Sequence, residues 1–83
     1  MNWESNAKQK YDQMLEKIPT FHKSIAREVV SKGAEENAKA RGAGQVEEDD
    51  IVKAFYTEVP ACFLSMMVRL MDMVGLDHSK FDK

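Results

Sequence analysis

The sequence predicts an all-α fold, a small bundle of three to four helices with short connections. Three observations carry that reading. Apolar residues recur at steps of three and four in separate stretches, which is the helical period. Aromatic residues are few (8%) while Ala and Met are common, a balance that favours helices over strands. The periodic stretches break at Pro19, Gly42, Pro60 and Gly75, the residue types that start and stop helices.

The first helix is expected from about Trp3 to Lys17, because Trp3, Ala7, Tyr11, Met14 and Ile18 fall on one face. Asn2 is its expected N-cap. Pro19 ends it, since the residue before a proline resists the helical region. Trp3, Met14, Leu15 and Ile18 are expected to carry its docking.

A second helix is expected from Thr20 or Phe21 to Arg41, with Thr20 able to cap it. Ile25, Val29 and Val30 form its apolar centre. Gly33, Ala34, Ala38 and Ala40 follow as a small-residue face that lets another helix come close. A break at Gly33 into two shorter helices is the competing reading. Gly42 suits a left-handed cap.

After a short loop, the acidic run Glu47, Glu48, Asp49, Asp50 suits the start of a third helix, where carboxylates meet unpaired N–H groups. It reads as a solvated face. The fourth helix, 60–74, is the most apolar stretch and is capped by Gly75. Phe63, Met67, Leu70 and Val74 are expected to face the core. Cys62, Met66, Arg69 and Met73 lie on a different stripe, the candidate partner surface. Residues 76–83 are polar and expected to fray, with Leu76 or Phe81 able to pin them back.

The chain of 83 residues is one domain, spanning 1–83, near the lower limit for an unaided core. A net charge of −2 and a pI of 5.6 argue against nucleic-acid binding, which needs a basic footprint. No stretch is long and apolar enough to span a bilayer, and no signal-like segment opens the chain, so no membrane partner is expected. A single cysteine allows no internal disulfide and fits a cytoplasmic location.

The residues show no catalytic constellation and no metal set, so no catalytic residue, metal or cofactor is assigned. His22 and His78 lack Cys or His neighbours at zinc spacing. Cys62, on an apolar helix, is expected to be buried and inert. The methionines point round several sides of the fourth helix, which disfavours a soft-metal site. Arg27, Lys32, Lys39 and Arg41 give the second helix a basic side able to meet an acidic partner.

One family resemblance is available. Trp3 and Ala7, Ile18-Pro19-Thr20-Phe21, and a charged helix ending Glu36 to Gly42 are followed by Val46, acidic residues and Ala54. Together they resemble the small C-terminal domain of light-independent protochlorophyllide reductase, over roughly residues 3–55. The motif positions are Trp3, Pro19, Phe21, Arg41 and Gly42. His22-Lys23 stand where the family pattern has Val-Arg. The resemblance implies an all-helical accessory domain of a nitrogenase-like oxidoreductase of chlorophyll biosynthesis. Such a domain helps cover the pigment site and contacts the other polypeptides of the enzyme, while the catalytic work lies in a larger preceding domain. A long helix ending in Ala-Lys-Ala-Arg-Gly, then Glu-Asp-Asp-Ile-Val-Lys-Ala-Phe, is also similar to the second half of a histone fold. The expected function is therefore a non-catalytic interaction module that docks on a protein partner or on itself. The alternatives are a tetrapyrrole-binding protein and a histone-like nucleic-acid binder.

Overall fold

The computed structural model describes residues 1–81, with the backbone alone at 20–22. Its element order is β1 (Asn2–Trp3), α1 (Ser5–Lys17), α2 (Thr20–Ala40), β2 (Gln45–Val46), α3 (Glu48–Glu58) and α4 (Ala61–Val74). The small all-α bundle expected from the sequence is the observed fold.

α1 begins later than its apolar spacing suggested. Glu4 caps it, not Asn2: the Glu4 carboxylate accepts from the N–H of Asn6 at 3.1 Å and of Ala7 at 2.9 Å. Asn2 and Trp3 are extended and pair in parallel with Gln45 and Val46. The Glu4 N–H adds a bond to the Val46 carbonyl at 2.8 Å. Trp3 thus reaches the helical face from outside the helix. Its ring stacks on Tyr11 with centroids 5.1 Å apart, and its indole N–H donates to Glu35 at 3.2 Å.

α2 runs unbroken through Gly33. Pro19 stands at the position before it, and the expected cap, the Thr20 side chain, lies outside the described residues. A Cβ on Gly33 would stand 3.3 Å from Ala54 Cβ and 3.2 Å from Glu58 Cγ, so α2 and α3 meet closely there. Gly33, Ala34 and Ala38 are buried at this contact, while Ala40 is exposed and does not belong to the small-residue face. The helix ends as expected. Gly42 has φ +75°, its N–H bonds to the Lys39 carbonyl at 3.0 Å, and the Ala43 N–H bonds back to Ala38 at 2.9 Å. Those paired bonds satisfy carbonyls the helix would otherwise leave open.

The acidic run is less solvated than expected. Asp50 is 3% exposed. Its carboxylate accepts from Arg41 Nε at 2.8 Å and Nη2 at 2.7 Å, and from the Glu47 N–H at 2.9 Å. Asn37 donates to the Asp50 carbonyl at 3.0 Å. The reason is positional: as the third residue of α3, Asp50 faces back toward its own cap and the end of α2. Glu47 pairs with Arg41, Glu48 with Lys10, and Asp49 with Lys80.

The core is one cluster built on Met14, Leu15, Val30, Val46, Ile51, Phe55 and Met71. α4 enters it through Met67, Leu70 and Met71. This turns the core stripe from the expected one: Phe63 is 38% exposed and Val74 half-buried, while Met71 is enclosed. The C-terminal half of α4 lies on the body, and its first turn stands at the rim. Gly75, at φ +85°, closes α4, and the N–H groups of Gly75 and Leu76 share the Met71 carbonyl. Leu76 is then buried, and Phe81 rests 6.0 Å from the Tyr56 ring. Residues 76–81 therefore lie against the body through both expected pins.

Candidate functional site

Two prolines shape the most apolar hollow of the surface. Ile18 precedes Pro19 and Val59 precedes Pro60, and both are held extended, at ψ 137° and 133°. Each chain turn therefore leaves an apolar side chain where two helices meet. Ile18 is buried and Val59 half-buried, and both line a groove between the first half of α2 and the start of α4. Val30 and Met67 form its floor. Ile25, Val29, Phe63 and Met66 form its walls, and Glu58 stands at the lip. The cavity measures about 170 Å³.

The groove exists because the apolar centre of α2 is split. Val30 goes inward as expected, whereas Ile25 is 63% exposed and Val29 is exposed beside it. Residues 25 and 29 are one turn apart on one side of the helix, and that side points past the body. Phe63 completes the apolar wall from α4.

The candidate partner stripe falls on one side of α4. Cys62, Met66, Arg69 and Met73 are spaced by four, three and four residues, which keeps them in line on a helix. Met66 is half-buried and belongs also to the groove wall. Cys62, Arg69 and Met73 are exposed, Met73 by 65%. The expected burial of Cys62 is therefore corrected: in the first turn of α4, on the outward stripe, it lies in solvent.

The family-motif positions hold the chain's joints. Trp3 ties the N-terminus to α1 and α2. Pro19 stands at the turn into α2. Arg41 clips the end of α2 to the start of α3, and Gly42 provides the left-handed turn between them. Arg41 is held strongly protonated, first by its hydrogen bond to Asp50 and then by Glu47. The side chains of Phe21 and His22 lie outside the described residues. The basic side of α2 is divided. Arg41 is engaged by acids, and Arg27 lies more than a third of a turn round the helix from the line of Lys32 and Lys39.

Two other hollows are lined by polar side chains already bonded among themselves. The one between α1 and α2, about 540 Å³, holds Trp3, Tyr11, Ser31 and Glu35. There the Tyr11 hydroxyl donates to the Arg27 carbonyl at 3.2 Å, which makes the Ser31 hydroxyl, 2.7 Å away, the donor to Tyr11. Burial pushes the Tyr11 ionisation up, against the opposing Ser31 bond. A second polar hollow, about 420 Å³, gathers Glu4, Arg41 and the start of α3, whose carboxylates are the capping and paired groups described above.

Among the described residues, nucleophile and base are not brought together. His78 Nε2 lies 2.7 Å from Asp72 on the last turn of α4. Cys62 is ten residues earlier on the same helix, about 15 Å along its axis. The methionines divide, Met67 and Met71 into the core, Met66 and Met73 to the outward side. Among the described residues no three His, Cys, Asp or Glu side chains are grouped to hold a metal, and no helix is long and apolar enough to cross a membrane. The sequence missed the groove because Ile25 and Val29 have the period of a core face. The signal that would have found it is the pair of apolar residues placed before prolines.

No protein-family model, curated protein or solved structure matches the chain.

Proposed function

We propose that this chain is a non-catalytic helical docking module that receives an apolar side chain of a protein partner in the groove between α2 and α4. The observation that carries the proposal is the groove itself: exposed Ile25, Val29 and Phe63 arranged around a cavity of about 170 Å³. A cavity of that size suits one large side chain. It falls below the roughly 300–1,000 Å³ of pockets that enclose a drug-sized ligand, so a protein partner is favoured over a free tetrapyrrole. The resemblance to the accessory domain of a protochlorophyllide reductase leads to the same reading, a helical piece that works by contact with other polypeptides.

The test is binding of Nile red, a neutral apolar dye that brightens against an exposed apolar face without having to be enclosed, at low protein concentration. The wild type is expected to enhance its fluorescence, and Ile25→Asp to abolish the enhancement with the far-UV circular dichroism unchanged. Equal fluorescence from the two proteins would overturn the assignment of the groove.

A further inference from the structure

The segment after α4 folds back on the body in two parts. Gly75 and Leu76 belong to the cap of the helix: both N–H groups bond to the Met71 carbonyl, Leu76 is buried, and Lys10 Nζ donates to the Gly75 carbonyl at 3.1 Å. Residues 77–81 make a turn of their own. The Asp77 carboxylate accepts from the Ser79 N–H at 3.0 Å, and the Phe81 N–H donates to the His78 carbonyl at 3.0 Å. Among the described residues no backbone bond joins this turn to a helix. It reaches the helices through side chains instead. His78 Nε2 lies 2.7 Å from Asp72 of α4, Lys80 donates to Asp49 of α3 at 2.8 Å, and the Phe81 ring rests on Tyr56 of α3. A turn that is bonded within itself and tied down only by side chains can swing as a unit about the buried Leu76.

We propose that the 77–81 turn is a pH-sensitive latch over Tyr56, held closed by protonated His78 on Asp72 and loosened when that ring loses its proton. Of the side chains that hold the turn, only the histidine changes charge between pH 5 and 8 by its ordinary chemistry. The Lys80–Asp49 pair stays charged throughout that range, and with both partners more than half exposed it is well screened. The His78 side chain is only 16% exposed, so its charge is screened less. Among the described residues, the charged groups around it favour the protonated ring. Asp72 faces it from α4. Asp77, held low first by the Ser79 N–H and also by His78, adds a second negative charge from the turn. The opposing charge of Lys80 is drawn to Asp49, and Lys10, at the Gly75 end, is taken up by Glu48. The sign follows. Closing the turn brings the ring to a carboxylate, so closure binds the proton more tightly. The added hold is complete below the ordinary histidine range and is lost as pH rises through it. Opening uncovers the Tyr56 ring and frees Asp49, while the Gly75–Leu76 cap stays in place.

Amide hydrogen exchange by NMR across pH 5 to 8, corrected for the intrinsic rise of exchange with pH, tests this on the whole chain. Protection of the Phe81 N–H, which is bonded only within the turn, is expected to fall about threefold over that range, the worth of one ion pair at the surface. Its midpoint should coincide with the titration of the His78 ring protons. Protection of the Leu76 N–H should stay level, because the cap does not open. His78→Gln keeps a donor without the titration, and Asp72→Asn keeps an acceptor without the charge, so each should flatten the step at Phe81. His22→Gln should leave the step as it is. A wild type with level Phe81 protection would overturn the latch, and so would a step that survives in His78→Gln. A step that survives in Asp72→Asn would overturn the pairing that closes it. Equal loss of protection at Leu76 and Phe81 would show the end of α4 opening as a whole and would overturn the hinge at Leu76.

Discussion

At the scale of single residues, Asp50 does more than its place in an acidic run suggests. Burial raises the cost of its charge, and Arg41 together with the Glu47 N–H more than offsets that cost, so its carboxyl titrates below the usual range. Asp50→Ala removes a cap bond and the acid that organises Arg41. Because Arg41 stays half in solvent, the ion pair itself counts for little. The loss is expected to come mainly from the cap, at about 2 kcal/mol, read as a lower urea midpoint with an unchanged slope. Glu4 is held low as well, by the Asn6 and then the Ala7 N–H. Both groups bind protons more weakly folded than unfolded, so the stability they supply is present above their ordinary values of 4.5 and 3.8. It is lost as pH falls through the lower, folded values. Carboxyl titration by NMR should place both midpoints under the ordinary values, and stability should decline through the same acid window. Midpoints at the ordinary values would contradict the bonding described for these caps.

At the scale of elements, the two informative glycines have opposite reasons for being glycine. Gly42 has open space around it but a φ of +75°, so Gly42→Ala should cost about 1 kcal/mol through backbone strain alone. Gly33 is helical, and an alanine there gains about 1 kcal/mol of helix propensity. Its Cβ, however, would press on Ala54 Cβ, which is fixed to α3 and cannot swing away as the Glu58 stem can. Overpacking of about 1–3 kcal/mol should win, leaving Gly33→Ala destabilised by about 1 kcal/mol in urea unfolding. A stabilised Gly33→Ala would show that α2 and α3 separate freely at this point. The helix ends at Gly42 and Gly75 were legible in the sequence because each is a local matter of φ and of which carbonyls lack partners. The split of the α2 centre into inward Val30 and outward Ile25 and Val29 was not, because period alone says which residues share a face and not where the body ends. The outward stripe of α4 was legible as a set of four residues on one line. The groove beside it was not, since it is made where Ile18 and Val59, distant in sequence, are brought together.

At the scale of the whole molecule, 83 residues leave little core to spare, so the ties between distant segments matter. The parallel pairing of Asn2 and Trp3 with Gln45 and Val46 joins the N-terminus to the α2–α3 turn, more than forty residues away. This contact has no signature in the sequence, because two residues of strand are below the length at which alternation can be seen. Trp3 is the single tryptophan, and it touches Tyr11 of α1 and Glu35 of α2 from that position. Its fluorescence therefore reports on the N-terminal tie, while far-UV circular dichroism reports on the helices. All four helices contribute to one buried cluster, in which Tyr11 lies 6.2 Å from Phe55 of α3. If that cluster holds the chain together, releasing Trp3 and melting the helices are one event, and the two probes should give the same urea midpoint, as two-state unfolding requires. A Trp3 transition at lower urea than the helical one would mean that the strand pair opens first, and that α1 to α4 form a bundle without it. Trp3→Ala separates the two cases further. In the cooperative case it lowers the helical midpoint by about 2 kcal/mol of stability, since a half-buried ring loses part of the 3–5 kcal/mol typical of a core aromatic. In the other case the helical midpoint stays where it was.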